Sequence, residues 1–155
     1  DQVQNVNAKG TFLCAQAVAR HMIERGGGGK IVNISSTAGR LGMPRFAAYC
    51  ASKFAVIGFT QSLAHELAEH KINVNAVCPG TTLTERTGYI AAALNEQDAP
   101  THDATQTMVG SLAEKTPLGR IAEPEDVART VAFLASAESD YTTGVALLVA
   151  GGIQM

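Results

Sequence analysis

The order of apolar and polar positions predicts helices and strands that alternate along the chain. Residues 1–25 carry apolar or small side chains three and four positions apart, the spacing of one helix face. The members of this face are Val3, Val6, Gly10, Leu13, Cys14, Ala17, Val18 and His21 or Met22. The helix is predicted to end at the four glycines of residues 26–29, because glycine disfavours helix continuation. We interpret these glycines as a turn between a helix and a strand, because they follow a helix, whereas glycines that hold a phosphate precede one.

Short runs of β-branched side chains predict the strands. Residues 30–35 read K-I-V-N-I-S, residues 72–77 read I-N-V-N-A-V, and residues 145–149 form a third apolar run. A helix predicted over residues 47–69 is apolar on more than one side, so we expect it to be covered by its own sheet and by a second subunit. A last helix is predicted from Glu123 to about Leu134, with acidic residues in its first turn.

Residues 81–118 form a long polar connection between the second strand and the last helix, with one helix predicted near residues 105–114. Connections of this length in compact domains usually hold a lid or a binding loop, so we expect this segment to set substrate specificity. The side chains that could line a substrate pocket are Met43, Tyr89, Ile90 and Met108.

Strands that alternate with helices over such long connections must run parallel, which predicts an α/β sheet. A parallel sheet needs both faces covered, and no strand precedes the first helix. We therefore expect residues 1–155 to supply the last three strands and flanking helices of a doubly wound parallel sheet. Its amino-terminal part, one or more strand–helix units, is then missing from this chain.

Composition restricts the function classes. The content of 46% hydrophobic and 17% charged residues is typical of a protein with a large buried interior. A net charge of −2 does not favour nucleic acid or an anionic membrane as a partner. No targeting segment is visible, and Cys14, Cys50 and Cys78 each lie in an apolar segment. They are expected to be buried free thiols, so the predicted location is the cytoplasm.

The candidate chemistry lies in Ser36, Tyr49 and Lys53. Tyr49 and Lys53 are four residues apart on a predicted helix, so they share one face. An ammonium group at that position favours the phenolate, which allows a tyrosine to act as a general acid or base on an alcohol or carbonyl oxygen. Ser36 follows the end of a strand, where open α/β sheets place their ligands, and its hydroxyl can stabilise negative charge on the same oxygen.

Other polar residues have simpler interpretations. A tyrosine and a lysine four residues apart arise by chance in many helices, so the pair alone could be a surface contact. Asn33 and Asn75 lie on predicted strands, where a structural hydrogen bond is expected. His65 and His70 are five residues apart and do not share a helix face, so no metal site is predicted.

Several stretches, taken together, resemble the classical short-chain dehydrogenase/reductase family. They occur in the family's order and spacing, and Ser36 precedes Tyr49 by 13 residues, as in that pattern. The stretches are V-N-A-K-G (6–10), I-V-N-I-S-S-T-A-G (31–39), Y-C-A-S-K (49–53), I-N-V-N-A-V-C-P-G (72–80) and the T-G…G-G ending (143–152). The resemblance covers essentially the whole chain and implies a Rossmann-like fold that binds NAD or NADP.

The resemblance implies a role for each matching residue. Tyr49 would be the catalytic acid/base, and Lys53 would assist it and hold the nicotinamide ribose. Ser36 would orient the substrate oxygen; Ser35 is adjacent, but the spacing of 13 residues favours Ser36. Asn7 would stabilise a local helix distortion whose water links Lys53 to solvent as a proton relay.

The cofactor loop follows the second strand. By the same resemblance, Pro79 and Gly80 would turn the chain beneath the nicotinamide. Thr82, through its backbone, and Thr84, through its hydroxyl, would bind the carboxamide and phosphate side of the cofactor. Ala150 stands before the paired glycines, where the family commonly has aspartate. The dinucleotide signature and the residue that separates NAD from NADP are absent from this chain.

These expectations lead to one function and one alternative. The function is reversible hydride transfer between NAD(P) and a small alcohol, polyol or sugar and its carbonyl form, in a homodimer or homotetramer. The helices of residues 1–25 and 47–69 would form a four-helix interface between subunits. The alternative is a catalytically inactive remnant or structural subunit that lacks half of the cofactor site.

Overall fold

The computed structural model describes residues 1–95 and 98–153. Three parallel strands form its sheet in the order β1-β2-β3: β1 (Gly29–Ile34), β2 (Ile72–Pro79) and β3 (Ala146–Val149). The register pairs Gly29 with Ile72 and Ala76 with Ala146. The three predicted strands and their parallel direction are therefore confirmed.

Six α-helices surround this sheet in the part of the chain that the structure describes. They are α1 (Gln2–Gln4), α2 (Gly10–Arg25), α3 (Ala47–Leu67), α4 (Glu85–Leu94), α5 (His102–Lys115) and α6 (Pro124–Ala135). Short 3₁₀ turns follow β1 (Thr37–Gly39), α3 (Ala68–His70) and α6 (Ala137–Ser139).

Helices cover both faces of the sheet. On one face, α2 and α3 pack on β1 and β2 around a core of Ala15, Ala19, Ile31, Leu63, Ala64, Leu67, Ile72 and Val74. Each fully buried aliphatic side chain of this kind contributes roughly 1.5–3 kcal/mol. Lys30 points to the opposite face because neighbouring strand residues alternate. There it pairs with Asp140, just beyond α6, at 2.8 Å. The sheet is therefore doubly wound, as the sequence predicts.

The first helix contains a π-helical turn. Residues Asn5–Lys9 have π geometry, and the Gly10 N–H donates to the carbonyl of Asn5, five residues earlier. A π turn inside an α-helix is rare and is frequently found at functional sites. The helix distortion that the resemblance implied around Asn7 is present in the structure.

The apolar face predicted for this helix points away from the sheet. Ala15 and Ala19 are buried against the sheet, whereas Val6, Leu13 and Val18 are exposed. Large apolar groups therefore form an outer stripe, and small ones allow α2 to approach the sheet closely. Cys14 lies on the outer side and is exposed, so only Cys50 and Cys78 are buried thiols as predicted.

Helix α4 was not predicted. Its segment contains Gly88, and glycine lowers helix propensity. A Cβ at Gly88 would lie 3.2 Å from Pro100 and 3.3 Å from Thr105, so glycine allows α4 and α5 to meet. The connection after β2 is therefore more regular than expected. Within the described ranges, no helix has both the length and the apolar character needed to cross a membrane.

Candidate active site

The predicted catalytic residues lie where β1 ends and α3 begins. Ser36 follows β1, and Tyr49 and Lys53 lie in the first two turns of α3. The Lys53 Nζ atom lies 5.8 Å from the centre of the Tyr49 ring. It also donates a 3.0 Å hydrogen bond to the Ile34 carbonyl at the end of β1. The lysine therefore bridges the helix and the carboxyl end of the strand.

The Lys53 ammonium lies in a half-buried, positively charged environment. Burial is the largest cause that lowers the pKa of Lys53, and the charge of Arg86 on α4 lowers it further. Arg86 was not among the residues singled out from the sequence. No spacing rule connects positions 53 and 86, and only the folded chain brings them close enough to interact.

The two neighbouring serines have different contacts. The buried Ser35 hydroxyl donates to the Lys53 carbonyl at 2.8 Å, so it joins β1 to α3. The Ser36 oxygen accepts from the Ala38 N–H at 3.2 Å and caps the 3₁₀ turn. Because Ser36 only accepts there, its hydroxyl proton is left to donate. This difference favours Ser36 over Ser35 as the group that contacts a substrate oxygen.

Asn7 reaches α3 through an intermediate residue. Its Nδ2 atom donates to the Ser52 hydroxyl at 3.0 Å, and Ser52 donates to the Tyr49 carbonyl at 2.7 Å. The Thr11 hydroxyl donates to the Asn7 carbonyl at 2.7 Å. Asn7 is thus held at both its side chain and its main chain. Ser52, fully buried, was not singled out from the sequence because one serine on an apolar helix gives no functional signal.

The segment after β2 brings the predicted cofactor loop to the same edge of the sheet. Pro79 is the last residue of β2, and the Gly80 N–H donates to the Val149 carbonyl at 2.9 Å. A Cβ on Gly80 would lie 3.1 Å from the Ala150 Cβ. Ala150, which stands where the family commonly has aspartate, therefore contacts the predicted cofactor loop.

The threonines of this loop begin α4. The Thr87 hydroxyl donates to the Thr82 carbonyl and accepts from the Thr84 N–H, both at 3.0 Å. The Thr82 N–H has no acceptor among the described residues, and Thr84 is exposed. The Thr82 backbone and the Thr84 hydroxyl are therefore accessible to a ligand at the places that the resemblance assigns to the nicotinamide.

Cys78 lies beneath the catalytic residues. It is fully buried on β2, and burial is the largest cause that raises the pKa of its thiol. A thiol with a raised pKa is a poor nucleophile at neutral pH. Cys78 therefore contributes packing at this position.

The two asparagines assigned to structure do form structural hydrogen bonds. Asn33 donates to the Thr60 hydroxyl at 3.0 Å. Asn75 donates to the Thr142 carbonyl at 2.8 Å and accepts from the Val145 N–H at 3.1 Å, which fixes the turn before β3.

Three of the four candidates for a substrate pocket are exposed, and the fourth, Met108 on α5, is half-buried. Tyr89 is 66% exposed, and Met43 and Ile90 are also exposed at their separate places in the chain. A groove beside β3, lined by residues that include Leu118 and Leu148, contains none of the catalytic candidates. We therefore locate the candidate site by Tyr49 and its contacts and not by this groove.

The chain is similar to proteins that are named as dehydrogenases or reductases. A family model described as enoyl-(acyl carrier protein) reductase matches residues 1–154. The human (3R)-3-hydroxyacyl-CoA dehydrogenase is 43% identical over 155 residues, which are 100% of this chain and 54% of that protein. The chain spans about half the length of the curated relatives that it matches.

Solved structures agree with the fold. Sorbitol-6-phosphate 2-dehydrogenase SrlD from Erwinia amylovora superposes with a TM-score of 0.91 at 33% identity, covering 100% of this chain and 60% of that one. An NAD⁺-bound xylitol dehydrogenase superposes with a TM-score of 0.83 at 31% identity, covering 97% of this chain and 58% of that one. Proteins of similar fold thus act on a thioester, a sugar phosphate and a polyol.

Proposed function

Because the chain belongs to the short-chain dehydrogenase/reductase family, we propose that it carries the catalytic residues of an NAD(P)-dependent dehydrogenase. The reaction is reversible hydride transfer between a nicotinamide cofactor and a small alcohol, polyol or sugar and its carbonyl form. The observation that carries this proposal is the convergence of Ser36, Tyr49 and Lys53 at the carboxyl end of β1. A cytoplasmic location, expected from the free thiols, belongs to the same proposal.

Tyr49 moves the proton in this reaction. During oxidation the substrate C–H bond breaks and its two electrons leave with the hydrogen, while the hydroxyl proton passes to the Tyr49 oxygen. Lys53 places a positive charge beside the tyrosine ring, with Nζ 5.8 Å from its centre. Ser36 donates to the substrate oxygen and stabilises the negative charge that develops there. The reverse sequence reduces a carbonyl compound.

The residues at this edge fit the nicotinamide end of a cofactor. The Thr82 N–H, which has no acceptor among the described residues, and the exposed Thr84 hydroxyl offer donors, and Lys53 offers an ammonium group to ribose hydroxyls. NAD or NADP supplies the hydride acceptor or donor when bound. Pro79 and Gly80 set the path of the chain, since the Gly80 N–H is anchored on β3 at 2.9 Å.

The outer stripe of α2 supports self-association. Phe12 on α2 and Phe59 on α3 pack edge to face with ring centres 5.5 Å apart, and Phe12, Leu13, Val18 and Phe54 are each more than 40% exposed. Exposed apolar side chains grouped in a patch typically mark a protein interface. We assign it to a homodimer or homotetramer, in which α2 and α3 of two copies form four helices. Leu13→Asp should reduce the mass measured by light scattering, and an unchanged mass would argue against this interface.

The test of function uses the full-length protein. NADH and NADPH are titrated while the fluorescence of the reduced nicotinamide is followed, and turnover is then assayed with 3-hydroxyacyl thioesters, sugar phosphates and polyols. Binding of one cofactor and turnover of one substrate class are expected. If neither cofactor binds, the dehydrogenase proposal fails and the alternative, a catalytically inactive or structural subunit, is favoured.

A further inference from the structure

Ser52 lies at the point where the π turn contacts the catalytic helix. Its side chain is fully buried, one residue before Lys53, and its hydroxyl contacts two groups. One is the Nδ2 atom of Asn7, at 3.0 Å, and the other is the main-chain carbonyl of Tyr49, at 2.7 Å. The predicted site residues Asn7 and Tyr49 therefore both contact one hydroxyl group.

The direction of these hydrogen bonds follows from chemistry. A carbonyl oxygen only accepts, so the single proton of the Ser52 hydroxyl must point to Tyr49. The same hydroxyl can then only accept from Asn7. The Asn7 carboxamide must present its NH₂ group to Ser52, and its Oδ1 atom must point away. Without Ser52, either orientation of the amide would be allowed.

We propose that Ser52 is a positioning residue, which fixes the orientation of the Asn7 carboxamide and connects the π turn to the main chain at Tyr49. This inference rests on the proposed function for its kinetic consequences. The fixed orientation commits the Nδ2 atom of the half-buried Asn7 to Ser52 and leaves Oδ1 as the acceptor at the other end of the amide. Ser52 therefore acts on the site through the carboxamide of Asn7.

A double-mutant cycle in the full-length protein tests this dependence. Ser52→Ala should lower kcat about tenfold, the size expected for groups coupled in one hydrogen-bond network. The KM for the nicotinamide cofactor should stay within about twofold, because Ser52 contacts no cofactor-binding group directly. In an Asn7→Ala background, Ser52→Ala should have no further effect. Full additivity of the two losses, or a wild-type kcat for Ser52→Ala, would overturn the proposal.

Two further variants separate orientation from packing. Ser62→Ala is the matched control: it removes an exposed hydroxyl on the same helix that contacts only Glu66, at 3.2 Å, and should leave kcat unchanged. Ser52→Thr retains the hydroxyl and should recover most of the lost kcat. If Ser52→Ala does not fold, Ser52→Cys keeps a side chain of similar size with a weak donor, and it should show the same loss of kcat. A Ser52→Cys protein with wild-type kcat would contradict the proposal.

A readout independent of turnover completes the test. The side-chain NH₂ signals of Asn7 in a ¹⁵N-correlated NMR spectrum are assigned by their loss in Asn7→Asp. In Ser52→Ala, these signals should shift, and their exchange with solvent should accelerate about tenfold or more, because the bond to Ser52 is lost. Unchanged signals would refute the positioning role. If the wild-type protein turns over no substrate, the proposed function fails. The positioning role would still be supported if the Asn7 signals change as expected in Ser52→Ala.

Discussion

Gly39 lies so close to the main chain of Lys53 that a Cβ at Gly39 would stand 2.7 Å from the Lys53 carbonyl oxygen. The same Cβ would also meet the Ser35 oxygen, which donates to that carbonyl. Only a glycine therefore lets the 3₁₀ turn after β1 pack against the catalytic helix. The distance between Ser36 and the face of α3 that carries Tyr49 depends on this contact.

Gly39→Ala should separate the turn from α3. Overpacking of a buried site costs typically about 1–3 kcal/mol, so we expect a loss of stability of that size in chemical denaturation. The kcat of the folded variant should also fall, because Ser36 and Lys53 move apart. The matched control is Gly110→Ala on α5, where a Cβ meets nothing within 4 Å. That variant should be as stable as the wild type or more so, and equal losses in both variants would contradict the explanation.

Tyr49→Phe should abolish most of the activity and leave the fold intact. The change removes the proton-transferring oxygen but keeps the ring beside Lys53. General acid–base catalysis typically contributes about 10²–10⁴-fold, and kcat should fall by that factor at constant thermal stability. Tyr141→Phe, at a fully exposed tyrosine, should behave as the wild type. Near-normal kcat in Tyr49→Phe would remove Tyr49 as the acid/base.

Arg86→Gln should move the alkaline limit of activity. The charge of Arg86 adds to burial in lowering the pKa of Lys53, so its removal raises that pKa. Lys53 then stays protonated to higher pH, and the alkaline limb of the kcat/KM profile should shift upward. The measurement is the profile of kcat/KM against pH for both proteins. Arg20→Gln on the exposed side of α2 is the control, and a downward or absent shift in Arg86→Gln would contradict the interaction.

Asp126 should make stability depend on pH through its pair with Arg120. The two residues form hydrogen bonds of 2.6 and 3.0 Å, and Asp126 also accepts from the Glu123 N–H at 2.9 Å. The hydrogen bond with Arg120 is the largest cause that holds the pKa of Asp126 well below its usual range. The ordinary pKa of aspartate is about 4. Above that pH, the stability gained from the depressed pKa of Asp126 is fully present, and it is lost as the pH falls through the pKa of the folded state.

Asp126→Asn should therefore unfold at lower temperature than the wild type at pH 7, and the difference should shrink as the pH falls below about 4. Thermal unfolding at several pH values measures it. Asp103→Asn in the first turn of α5 is the matched control, because Asp103 is fully exposed. A difference between wild type and Asp126→Asn that persists unchanged at low pH would show that the charge of Asp126 does not matter.

The strands were predictable because their signals are local, and so was the shared helix face of Tyr49 and Lys53, whereas the catalytic role of these two residues stays a prediction that depends on the family resemblance. Residues such as Ile31 and Ile72 lie in short β-branched runs, and Tyr49 and Lys53 need only helical periodicity to share a face. Periodicity located the apolar face of α2 but does not tell which side of the helix meets the sheet. The alanines at 15 and 19 pack there, and the larger Leu13 and Val18 point outward.

Other features depend on contacts between distant residues. Helix α4 requires Gly88 to meet Pro100 and Thr105, which no local propensity reveals. The effect of Arg86 on Lys53 and the contact of Ser52 with Asn7 join residues more than 30 positions apart. The sequence suggested a distortion near Asn7 only through the family resemblance, since nothing in the composition of residues 5–9 favours a π turn.

The π turn also changes how insertions and deletions in this region should be interpreted. Five residues of π-helix contain one residue more than an α-helix would need for the same path. Loss of one residue between Asn5 and Lys9 would restore a regular helix, with the sheet-facing Ala15 and Ala19 undisturbed and the residues upstream rotated by one position. Such a shortened helix would pack as before but would no longer direct Asn7 at Ser52. A deletion of one residue here would therefore leave the helix able to fold but would remove its contact with the active site.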